Sequence, residues 1–164
     1  MANTGWGVID NSGGRFHYLA SGVIRTGADE MHIARLDSIR RELTAVVAHW
    51  QPRIACVERV FANVNAKSSM ALGEARGTAI GALLECRLEV MEFSALQIKK
   101  SVTGMGRADK KQVSEMVARL LSMPETAWSS HAADALACAL SLLPLTQLHS
   151  SRLPAYRGRR RARR

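Results

Sequence analysis

The sequence predicts a single α/β domain, and three observations predict it. Extended and helical patterns follow one another in the order hairpin, helix, strand, helix, strand, helices. The 164 residues are 47% hydrophobic and 23% charged, a size and composition suited to one core rather than two. No internal repeat or linker interrupts residues 1–146, and the chain then closes on an Arg-rich tail over 147–164, expected to be disordered.

Residues 4–9 open as a strand, with Trp6 and Val8 alternating against glycines. Asp10-Asn11-Ser12-Gly13-Gly14 is a cluster of turn residues, and residues 16–25 read as the returning strand. Ile33, Leu36, Ile39, Leu43, Val46, Val47 and Trp50 recur at helical spacing until Pro52. Ile54-Ala55-Cys56-Val57 is a continuous apolar run, the pattern of a strand buried on both faces. Residues 67–87 form a second long helix rich in Ala and Gly. A glycine costs about 1 kcal/mol inside a helix, so Gly73, Gly77 and Gly81 call for a close approach by another helix or a ligand backbone. Residues 88–93 read as a strand, and 110–123 as an amphipathic helix through Val113, Met116, Val117, Leu120 and Leu121. Residues 131–143 form a final apolar helix capped by Ser129 or Ser130.

Composition excludes disorder, collagen-like repeats and a disulfide scaffold. The longest uncharged apolar run, residues 135–145, falls short of the roughly 20 residues of a membrane span. No signal peptide pattern precedes Asn3, so a cytoplasmic location without membrane partners is expected. Cys56, Cys86 and Cys138 each sit in an apolar stretch and read as buried reduced thiols rather than disulfide or zinc ligands. The net charge of +9 is mostly the tail: seven arginines lie within 152–164, leaving 16 basic and 14 acidic residues in the body. That tail is a candidate polyelectrolyte arm for nucleic acid, against the plainer reading of a solvated end.

Three features could carry chemistry. Glu58 follows the apolar strand, where α/β folds place ligand-handling groups; a solvated strand end paired with Arg53 or Arg59 is equally consistent with position alone. His131 and Asp134 lie three apart at the start of an apolar helix and share a face. They suit a metal site, whereas complementing the helix dipole or packing are the ordinary roles of such residues. Finally, residues 98–111 gather five cations, Lys99, Lys100, Arg107, Lys110 and Lys111, around a Gly-x-Gly loop able to bring backbone N–H groups to phosphate.

Together these segments resemble the RuvC Holliday-junction resolvases. The resemblance is carried by Thr4-Gly5-Trp6-Gly7-Val8-Ile9, Val57-Glu58-Arg59-Val60-Phe61, Leu72-Gly73-Glu74-Ala75-Arg76-Gly77, residues 99–111 and His131-Ala132-Ala133-Asp134-Ala135-Leu136, spanning residues 4–143 in order. It implies an RNase H-like fold, with a mixed central sheet flanked by helices, and a homodimer. It also implies an endonuclease that resolves four-way DNA junctions by paired symmetric nicks in recombination and repair. The implied cofactor is Mg²⁺, two ions per site with Mn²⁺ as a substitute, held by Glu58, His131 and Asp134; His131 stands where many members have Asp and some have His. Phe61 matches an aromatic that inserts against bases, and Lys99 and Lys110 match residues that grip phosphate, with Lys100 and Arg107 as further DNA contacts. The RuvA–RuvB branch-migration complex is the implied protein partner.

The pattern departs from the family at its beginning. Members carry a Gly-x-Asp-Pro-Gly segment before the hairpin, with a metal-binding Asp, whereas Met1-Ala2-Asn3 leads straight into Thr4. The expectation is a sequence that starts about a dozen residues late, lacking a central strand and that Asp. The alternative is a real short protein, catalytically impaired, that still holds junctions. Two other classes compete: a non-catalytic DNA-binding module relying on the tail and residues 99–111, and a nuclease of the same fold acting on flaps or RNA hybrids.

Overall fold

The structure, a computed structural model, describes residues 2–12, 15–27, 29–60, 65–124 and 127–142. Phe61 and the tail lie outside the described residues. Strands β1 (Ala2–Ser12) and β2 (Arg15–Thr26) pair antiparallel, from Ala2 with Thr26 to Ser12 with Arg15, with a register shift between Val8 and Ile9. Asp10, Asn11 and Ser12 are therefore strand residues opposite His17, Phe16 and Arg15, not the turn their composition suggests. Pairing into the hairpin overrides the local turn preference.

The alternation in β1 has a packing reason. Successive strand side chains point to opposite faces. A Cβ built on Gly5 would meet the His131 backbone, and one on Gly7 would meet Leu136, so the glycine face lies against a helix. Trp6, between them, packs with a second core cluster, and its indole covers Gly22, its cross-strand partner.

Helix α1 (His32–Trp50) buries Ile39 and Leu43 and stops at Gln51, left-handed with φ 47°, just before Pro52. Ile33, placed on the apolar face by its spacing, is 70% exposed. Strand β3 (Ile54–Arg59) and strand β4 (Glu89–Ser94) pair in parallel, with helix α2 (Ala66–Glu85) between them in sequence. Ile54, Ala55, Cys56 and Val57 are only half-buried, so β3 is not the doubly buried strand its apolar run suggests. Among the described residues β3 ladders with β4 alone, and β1 with β2 alone. The antiparallel and parallel halves are thus two separate two-stranded sheets. Helix α2 buries Ala79 and Ala82 in the same cluster as Ile39 and Leu43 of α1, while a Cβ on Gly73, Gly77 or Gly81 would meet nothing within 4 Å. Among the described residues nothing explains those glycines by close approach.

Helix α3 (Ala95–Thr103) was not legible as a helix in the basic segment. Ser94 and Gln97 form a capping box at its start, and Gly104, with φ 77°, ends it. Helix α4 (Lys110–Leu120) has a second capping box, Asp109 with Gln112, and helix α5 (Ser130–Leu140) is capped by Ser129. Leu136 and Leu140 of α5, Val113 and Val117 of α4, and Ile98 and Val102 of α3 form the main core, with Cys138 inside it and Cys56 packed on it. Contact with Cys56 and burial push the Cys138 thiol well above the ordinary thiol range.

Candidate active site

The site forms where the end of β3 meets the start of α5. Glu58 is the fifth residue of β3, inside the strand rather than after it, with Phe93 of β4 as its register partner. Asp134 lies in the second turn of α5, and Lys110, the first residue of α4, donates from Nζ to its Oδ2 at 2.9 Å. Glu58 is exposed as a residue, yet burial is the first cause that lifts its carboxyl above the usual carboxylate value. The charge of Asp134 adds to that rise and Lys110 opposes it. Three groups from three elements thus share one electrostatic environment.

His131 faces elsewhere. Its exposed ring places Nε2 3.2 Å from the Asn3 Nδ2 amide of β1, which donates to it in the tautomer that leaves Nε2 bare. Lys99 is half-buried on α3, Lys100 is exposed on the same helix, and Arg107 is exposed in the turn before α4. Of these proposed DNA contacts, Lys110 is the one that pairs with a site carboxylate among the described residues. The Gly-x-Gly stretch, Gly104 to Gly106, lies in the loop that connects α3 to α4, as expected.

Residue-by-residue reading missed Arg76. From α2 its Nε donates to the Glu58 carbonyl oxygen at 3.2 Å, and its guanidinium pairs with Glu92 of β4. It ties the Glu58 end of β3 to α2 and β4. The signal was present in the Gly73-Glu74-Ala75-Arg76-Gly77 segment, without a contact to give it a role. Asn3 carried no signal of its own.

Two carboxylates and an imidazole invite a divalent ion. Magnesium takes near-octahedral oxygen ligation at about 2.0–2.1 Å. Among the described residues no three His, Cys, Asp or Glu side chains gather into such a donor set. Lys110 already neutralises Asp134, and His131 is engaged by Asn3. The described residues therefore do not fit the ion by themselves. No described helix is long and apolar enough to cross a membrane.

Comparisons agree on relationship. A "Crossover junction endodeoxyribonuclease RuvC" protein of Thiobacillus denitrificans is 46% identical over 152 residues, covering 93% of this chain and 85% of that protein. Another of that name from Paracidovorax citrulli is 48% identical over 143 residues, covering 86% of this chain and 78% of its own. The solved structure of Thermus thermophilus RuvC superposes with a TM-score of 0.81 at 28% identity, covering 89% of this chain and 90% of that one. T. thermophilus RuvC in complex with a Holliday junction substrate superposes at 0.80 and 25% identity, covering 89% of each. The two half-sheets and their helices accordingly belong to an RNase H-like α/β fold. With the family model for crossover junction endodeoxyribonuclease RuvC matching residues 1–142, the chain belongs to the RuvC family.

Proposed function

We propose that this protein binds four-way DNA junctions as a homodimer and resolves them by paired nicks in recombination and repair. The observation that carries the reading is the Glu58–Asp134–Lys110 cluster at the end of a strand and the start of two helices. Membership of a family whose relatives are named for junction cleavage supports the same substrate. Glu58, with its raised pKa, is the group suited to take a proton from an attacking water. The Lys110 ammonium is placed to offset negative charge growing on a phosphate. Lys99, Lys100 and Arg107 extend positive charge away from that point, and Phe61 is the proposed base contact. RuvA–RuvB is the proposed partner complex.

No step is assigned to the Mg²⁺ or Mn²⁺ ions that the resemblance implies, because the described residues lack their donor set. That shortage, together with Asp134 already paired to Lys110, favours one second reading: a protein that holds junctions without cutting them. End-labelled four-way junctions incubated with the purified chain and Mg²⁺ decide between the two. Symmetric nicks abolished by Glu58→Gln support cleavage. Junction-selective gel shifts without nicks support the second reading. Equal affinity for junction and linear duplex would overturn both.

A further inference from the structure

We propose that Cys56 and Cys138 form a peroxide-oxidisable pair that closes into a disulfide directly behind the Glu58–Asp134 pair. The two sulfurs stand 2.7 Å apart across the contact between β3 and α5, although 82 positions separate them in the chain. A disulfide bond measures about 2.03–2.05 Å, so closure needs roughly 0.7 Å of approach. Both thiols are free in the structure.

The placement follows from two periodicities. Cys56 and Glu58 are two apart on β3, so they share a strand face. Cys138 and Asp134 are four apart on α5, so they share a helix face. Two strand residues advance about 6.6 Å and four helix residues about 6.0 Å, so the thiol rung and the carboxylate rung keep step. The cysteines tie together the two elements that carry the carboxylates. This placement bears on activity only through the proposed function, whereas the thiol chemistry stands without it.

Exposure sets the order of the reaction. Cys56 is half-buried, while Cys138 is only 5% exposed inside the core. Hydrogen peroxide, small enough to reach a half-buried sulfur, reacts first at Cys56: its thiolate attacks the O–O bond, giving a sulfenic acid and hydroxide, which the proton released from the thiol converts to one water. The Cys138 sulfur then displaces the hydroxyl from the Cys56 sulfur. The S–S bond forms, the S–O bond breaks, and the hydroxyl leaves as a second water with the Cys138 proton. Two thiols are oxidised and one peroxide is reduced. Cys86, at the end of α2, has no sulfur partner among the described residues and takes no part.

The test is made on the full chain without DNA, so its outcome is independent of the nuclease reading. Reduced protein is treated with hydrogen peroxide, quenched with catalase, denatured, alkylated and mapped by mass spectrometry. The expected product has lost two hydrogens, shows a Cys56–Cys138 cross-linked peptide, keeps Cys86 alkylated and reverts with dithiothreitol. Its Tm rises by roughly 5–15 °C, the gain from closing so long a loop. Cys56→Ser abolishes both the cross-link and the rise. Cys138→Ala leaves Cys56 as a sulfenic acid trapped by dimedone, which keeps the proposal testable if Cys56→Ser folds poorly. Alkylation of all three cysteines after peroxide, or a cross-link that includes Cys86, overturns the proposal.

Discussion

Replacing Gly5 by alanine tests how β1 positions the helix that carries Asp134. A Cβ there would overlap the His131 carbonyl oxygen and stand 2.5 Å from its carbon and 3.2 Å from its Cβ. Non-bonded carbons settle at about 3.5–4.0 Å, so strand and helix must part by about 1 Å. The obstructing group is helix backbone and cannot rotate aside. Overpacking of this kind costs about 1–3 kcal/mol, and a rigid obstruction belongs in the upper half of that range. At about 2–4 °C per kcal/mol for a domain of this size, Tm falls by about 4–12 °C. Gly7→Ala is the internal control: its nearest atoms are the Leu136 side-chain Cδ2 at 2.7 Å and Cγ at 2.9 Å, which can shift, so about 1 kcal/mol is expected. The assay is calorimetry of the three proteins in one buffer, with junction nicking measured alongside. Displacing the start of α5 moves Asp134 relative to Glu58, so Gly5→Ala also loses nicking beyond its stability loss. A Gly5→Ala protein that melts within about 1 °C of the parent would refute the packing of β1 against α5.

The remaining predictions concern α2, Glu58 and the tail. Gly77→Ala meets open space on α2 and is expected to stabilise the protein by about 0.5–1 kcal/mol, read as a higher Tm; a Tm below the parent's would contradict it. Because the folded pKa of Glu58 is raised, the fold favours its protonated form. Its contribution is therefore fully present below the ordinary carboxylate pKa and is lost as pH rises through the folded value. Glu58→Gln is expected to be more stable than the parent at neutral pH, with the advantage disappearing in acid; urea titrations across pH check the sign, and a constant difference would contradict it. Arg76→Ala removes the tie to the Glu58 carbonyl and the ion pair with Glu92, costing about 1 kcal/mol and lowering nicking without changing junction affinity, as gel shifts would report. Deleting residues 152–164 removes seven arginines and should flatten the salt dependence of DNA affinity while junction preference survives.

Much of the architecture was legible because it is written in local patterns. Alternation in β1, helical spacing in α1 and α4, and the serine before α5 depend on neighbours within a few residues. Errors arose where a distant partner decided the outcome. Asp10, Asn11 and Ser12 resemble a turn until β2 continues the ladder to Arg15. Ser94 and Gln97 start a helix, α3, inside the basic segment that reads in sequence only as cations around a Gly-x-Gly loop.

Taken alone, the sequence determined the α/β class, the family resemblance and the names of the candidate residues, since each rests on residue identity and spacing. Only tertiary structure decided how those residues meet. Glu58 and Asp134 stand 76 positions apart, yet burial and then the charge of Asp134 lift the Glu58 carboxyl while Lys110 opposes the rise. His131, on the same helix face, turns instead to Asn3. The glycines of β1 gained a reason and those of α2 did not, because close approach is a property of two elements and is written in neither one alone. The cysteines make the same point: three buried thiols in the sequence became one touching pair and one bystander when β3 was laid against α5.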